Sequence, residues 1–152
     1  MDKAQTLQLI ENIIKSNKTQ MHNISTILEK KDGDELCSIA KNECDFGRLL
    51  YENEQHLKNV MGSLFYDKIE KLHEAWHVEY YNIYKILQKH IKGKQEKKGF
   101  LSKIMGDKKI SDMEIDKAKL YFSELKKAQA ELQRSIEAAQ RRLMALNESK
   151  FV

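Results

Sequence analysis

The chain has 152 residues, 41% of them hydrophobic and 33% charged, which is enough apolar material for one packed core and excludes a wholly disordered polypeptide. It contains no proline and only six glycines, a composition suited to long uninterrupted helices. The net charge of +4 is concentrated. Between Lys89 and Lys109 eight lysines face only Glu96 and Asp107, so the remainder of the chain is mildly acidic and no basic nucleic-acid-binding face is expected.

At the N-terminus, Leu7, Ile10, Ile14, Met21, Ile24 and Leu28 recur mostly at three- and four-residue steps and predict an amphipathic helix over residues 3–31, ended by Asp32-Gly33-Asp34. The opening MDKAQTLQLIENIIKSN lacks the apolar stretch and small-residue cleavage site of a signal peptide, and no apolar run reaches the ~18 residues of a membrane span. A cytoplasmic location is expected, where two cysteines serve as thiols or metal ligands in preference to a disulfide.

Residues 35–51 read as one or two short helices bent near Asp45-Phe46-Gly47, and another short helix is expected around residues 56–61. Ser63, after Gly62, is a candidate N-cap for a long helix whose apolar face carries Ile69, Leu72, Trp76, Tyr80, Ile83 and Leu87, with Gly93 as its stop. A lysine-rich linker follows. Ser111-Asp112-Met113-Glu114 is a capping-box pattern that starts the last helix. There Ile115, Ala118, Phe122, Leu125, Gln129, Leu132, Ile136, Ala139, Leu143 and Leu146 step alternately by three and four, a heptad seam with one polar break at Gln129. Such a seam suits packing within the chain as well as a coiled coil with a second copy or a signalling partner. The division expected is a helical bundle over residues 1–92, a linker over 93–110 and a heptad helix over 111–152.

His73-Glu74-Ala75-Trp76-His77 sets two imidazoles four residues apart, on one helical face, where both can address one ion. Cys44 lies beside a glycine bend, and His22 borders the apolar stripe of the first helix. Together these four residues offer three nitrogens and one sulfur, a donor set suited to tetrahedral zinc. Spacing alone leaves rivals. The run His73 to His77 also fits the His-Glu-x-x-His motif of zinc peptidases, with Glu74 as general base, although Tyr80 and Ile83 replace the glycine and histidine of its extended form. A di-iron bundle would need Glu-x-x-His on two helices, whereas here Glu70-x-x-His73 and Glu74-x-x-His77 share one. Cys37 is read as a small core residue or a resolving thiol, and His56 and His90 as surface or cap residues.

The segment Cys44-Asp45-Phe46-Gly47-Arg48-Leu49-Leu50-Tyr51 resembles the Cys-x-Phe-Gly-Lys-Trp-x-Tyr signature of the chemoreceptor zinc-binding (CZB) domain family, with Arg48 for the lysine and Leu49 for the tryptophan. The order of early histidine, cysteine motif and His-x-x-x-His is also similar, over residues 15–90. The resemblance implies an all-α four-helix bundle, here with an additional C-terminal heptad helix, and one zinc ion on His22, Cys44, His73 and His77. It further implies a non-enzymatic cytoplasmic regulator of chemotaxis or cyclic-di-GMP signalling that responds to zinc or to oxidants through the Cys44 thiolate. The alternative is a structural interaction module in which zinc only staples the helices.

Overall fold

The computed structural model describes residues 1–30, 36–96 and 110–151, with side chains omitted for 90–96. It is an all-α bundle without strands among the described residues. The elements are α1 (Lys3–Lys30), α2 (Asp45–Glu52), α3 (Glu54–Met61), α4 (Ser63–Glu96) and α5 (Asp112–Ala145), closed by a 3₁₀ turn at Glu148–Phe151. The Asp32-Gly33-Asp34 stop and most of the lysine-rich linker lie outside the described residues.

α4 and α5 form the principal helix pair, and α1 packs on α5 and on α2. Arg142, near the end of α5, stands over the Phe65 ring at the start of α4, so these two helices run antiparallel. α1 is likewise antiparallel to α5. Lys3 Nζ donates to the carbonyls of Met144 and Leu146 at 2.7 Å each, where α5 leaves acceptors without helical partners. Farther along, Gln129 Nε2 donates to Asn17 Oδ1.

The heptad seam is therefore occupied within the chain. Ile115, Ala118, Leu125, Leu132, Ile136, Ala139 and Leu143 are buried in the same core as Ile10, Ile13, Trp76, Tyr80, Ile83 and Leu87, and Phe122 and Leu146 pack against it partly buried. α5 is part of the bundle's centre, and the polar break at Gln129 meets a polar residue of α1.

Local signals behave mostly as the sequence indicates. Ser111 caps α5, its Oγ accepting from Glu114 N at 3.2 Å. Three expectations need correction. The segment expected to be helical over residues 35–51 is helical only from Asp45, and residues 36–44 are irregular. Ser63 is the first residue of α4 and not its cap; the Gly62 carbonyl accepts the first bond, from Tyr66 N, and Gly62 turns the chain between α3 and α4 at φ 95°, where a side chain would be strained. Nor does Gly93 stop α4, which continues to Glu96. One interior glycine costs only about 1 kcal/mol, which a long helix absorbs.

A fourth difference bears on the site. The buried face of α1 comprises Thr6, Leu9, Ile10, Ile13, Asn17, Gln20, Ile24, Ile27 and Leu28. Leu7, Ile14 and Met21 are only partly buried. The inward face is thus turned away from the purely apolar stripe, because three polar residues, Thr6, Asn17 and Gln20, lie inside it.

Candidate metal centre

Residues 36–44 cross the face of α4 before the chain enters α2, and four contacts fix that crossing. Tyr80 Oη donates to the Cys37 carbonyl at 2.7 Å. His77 Nδ1 donates to the Ile39 carbonyl at 3.0 Å. Lys41 pairs with Glu74 at 3.5 Å and with Glu70 at 3.8 Å. Glu43 N and Cys44 N both reach back to the Ala40 carbonyl, closing a turn that delivers Cys44 to the N-cap of α2.

The turn exists only because residue 47 has no side chain. A Cβ on Gly47 would lie 1.6 Å from the Lys41 carbonyl oxygen. Its neighbour Phe46 is fully buried and stacks on the His73 ring, with centroids 4.2 Å apart. The Phe-Gly pair thus has two separable jobs: one ring seats an imidazole, and one missing methyl admits a carbonyl.

Three donor atoms meet above this turn. Cys44 Sγ lies 3.3 Å from His73 Nε2 and 3.3 Å from His77 Nε2, and the two Nε2 atoms are 3.1 Å apart. Ligands held about 2.0–2.3 Å from a tetrahedral ion stand roughly 3.3–3.6 Å from one another, so the triangle is close to one face of a zinc tetrahedron. Among the described residues, Cys44, His73 and His77 are the group whose donor atoms converge closely enough to hold a metal ion.

The protonation states suit this use. The Ile39 carbonyl can only accept, so His77 carries its proton on Nδ1 and turns the Nε2 lone pair toward the triangle. Burial pushes His73 down to about 3 and His77 down to about 4, with Lys41 adding to both effects, so both rings are neutral near pH 7. Burial raises the Cys44 thiol, against which Gly47 N donates to Sγ at 3.2 Å. A bound cation reverses that balance and holds the sulfur as thiolate. His73 Nδ1 is buried with no hydrogen-bond partner among the described residues.

Trp76 is fully buried, edge-on to His77 at 5.1 Å and stacked on Tyr80 at 5.0 Å. It packs against a donor ring without offering a donor itself. Glu74, the general base of the peptidase reading, is 59% exposed and paired with Lys41.

His22 is not brought to the triangle. It is exposed on α1 and lines a surface groove with Ile14, Lys18, Glu137 and Gln140, on the side that faces α5. The buried positions one turn around are Gln20 and Ile24. Three of the four residues that the sequence nominates therefore converge, and the fourth stands apart because the inner face of α1 contains polar Asn17 and Gln20.

Sequence reading missed the Ile39 carbonyl, Lys41 and the Tyr80–Cys37 bond. Backbone acceptors leave no residue signature, and an ion pair between a loop lysine and residues of a helix with two others in between has no periodic signal. Compared with protein-family models, curated proteins and solved structures, the chain has no match. No helix among the described residues is long and apolar enough to cross a membrane.

Proposed function

We propose that this chain is a zinc-binding regulatory module of the CZB kind, in which Cys44, His73 and His77 hold the ion and couple it to the packing of the loop on α4. The observation that carries the reading is the triangle itself: one sulfur and two imidazole nitrogens within 3.3 Å of one another, drawn from two separate segments. A mixed sulfur–nitrogen set with neutral imidazoles favours zinc over hard cations such as calcium or magnesium. When bound, the ion supplies charge that holds Cys44 as thiolate.

The residues around the triangle support a regulatory role. Cys44 caps α2, His77 grips the Ile39 carbonyl, and Lys41 ties the same loop to Glu70 and Glu74. Loss of the ion, or oxidation of the sulfur, would leave three polar donors buried against one another and loosen this loop. A signalling partner reads that change in packing. Since the α5 seam is filled from within, the proposal does not rest on a coiled-coil dimer. Among the described residues no fourth donor joins the triangle, His22 being exposed on α1.

The site is taken as non-catalytic. Its donors are at most 6% exposed, whereas a peptidase must admit a peptide bond to the ion. Metal analysis of the purified protein tests the reading. Stoichiometric zinc in the wild type, lost in both Cys44→Ala and His77→Ala, is the expected result. A wild type that binds no zinc, or variants that keep it, would overturn the assignment.

A further inference from the structure

The metal reading uses one of the two cysteines and leaves the other unexplained. Cys37 stands at the start of the same loop whose end is Cys44, and the loop is pinned at both points to neighbouring turns of one helix. Tyr80 holds the Cys37 carbonyl, while His77 touches Cys44 Sγ and holds Ile39 between them. Cys37 is partly buried against the core and lines a cavity of about 620 Å³ between α1 and α2. The exposed Lys15, Thr19 and Arg48 stand at the cavity's edge, and Asp45, next to Cys44, shares its wall.

We propose that Cys37 is the resolving thiol of the metal centre: a hydroperoxide oxidises Cys44, and Cys37 then closes a disulfide with it that expels the ion. This inference rests on the metal assignment above. In the first step the Cys44 thiolate attacks the peroxide oxygen. The O–O bond breaks, the sulfur gains OH as a sulfenic acid, and the departing alkoxide or hydroxide takes a proton. In the second step the Cys37 sulfur attacks the Cys44 sulfur. The S–O bond breaks, and the hydroxide leaves as water with the Cys37 proton. Two electrons pass from the pair of sulfurs to the peroxide.

The order follows from the surroundings. Desolvation holds Cys37 as a thiol, pushed up to about 12, so it is a poor target for peroxide itself. A disulfide needs the two Cα atoms within about 7 Å of each other. Residues 36–38 have no regular structure, so the loop can adjust to that separation. The bond takes the sulfur ligand out of the triangle.

The test uses zinc-loaded full-length protein and hydrogen peroxide. Expected are an intact mass lower by two hydrogens, a Cys37–Cys44 crosslinked peptide, release of the zinc, and recovery of both thiols and zinc binding after dithiothreitol. Cys37→Ser should bind zinc normally before oxidation and form no crosslink with peroxide. Without a resolving thiol its Cys44 should go on with further peroxide to the sulfinic acid, two oxygens heavier, which dithiothreitol does not reduce. A wild type that gains oxygen on Cys44 with no crosslink, or a Cys37→Ser variant whose Cys44 forms no more sulfinic acid than the wild type's, overturns the proposal. Zinc content before peroxide separates the two readings: without zinc the metal assignment fails, and with zinc but no crosslink only the role of Cys37 fails.

Discussion

Cys44 Sγ and His77 Nε2 lie 3.3 Å apart although 33 positions of chain separate them, and neither residue reaches the other by helical periodicity. The loop over residues 36–44 closes that distance, and the first expectations concern what closes it.

Gly47→Ala places a methyl on top of the Lys41 carbonyl, where the obstructing atom is backbone and cannot rotate aside. The turn must open, taking Cys44 off the triangle. The variant should lose about 3 kcal/mol or more of stability and most of its zinc affinity, read by denaturant titration and metal analysis. Zinc binding equal to the wild type would mean that the turn does not set the sulfur's position.

His22→Ala should retain stoichiometric zinc and unfold within about 0.5 kcal/mol of the wild type, since the ring is exposed. His73→Ala should lose the metal. Equal loss in both variants would show that α1 turns to bring His22 inward when the ion binds.

Acid should destabilise the metal-free protein strongly. His73 and His77 stay neutral in the fold down to about 3 and about 4, whereas in the unfolded chain they take up protons near their ordinary value of 6.5. Below 6.5 the unfolded state therefore binds more protons than the native one. Stability falls as pH drops from about 6.5 toward 4, at up to about 1.4 kcal/mol per pH unit for each imidazole. Denaturant midpoints of the metal-free protein measured across that interval check the slope, and His73→Phe or His77→Phe should each flatten it.

The amide pair across α1 and α5 makes a separate stability prediction. Gln129 Nε2 donates to Asn17, yet Asn17 Nδ2 and Gln129 Oε1 are buried without partners among the described residues. Gln129→Leu alone strands Asn17 and should cost about 1–3 kcal/mol. Asn17→Leu combined with Gln129→Leu removes both amides and should restore or exceed wild-type stability. A double-mutant cycle measures the coupling; additive losses would show that the two side chains do not act as a pair.

Much of this was legible in the chain. Of the α4 stripe, Ile69, Trp76, Tyr80, Ile83 and Leu87 are buried and Leu72 only partly so, and the Ser111 cap is where its sequence pattern puts it. His73 and His77 share a face by geometry alone, and Cys44 was marked by the glycine bend beside it. α1 was harder, because hydrophobic spacing identifies an inward face by its apolar residues. Asn17 and Gln20 are buried on that face, which rotates the true interior away from Met21 and His22. The heptad pattern fixed which side of α5 is buried without naming its neighbour. Asn17, meeting the polar break at Gln129, supplies that answer from a helix more than a hundred residues away.

Trp76 is the only tryptophan in the chain, and its indole is wholly enclosed beside the His77 ring. The protein thus carries its own optical gauge. Whatever loads, protonates or releases that imidazole alters the electronic surroundings of a single emitter, so steady-state fluorescence of the unlabelled molecule can follow the centre in real time.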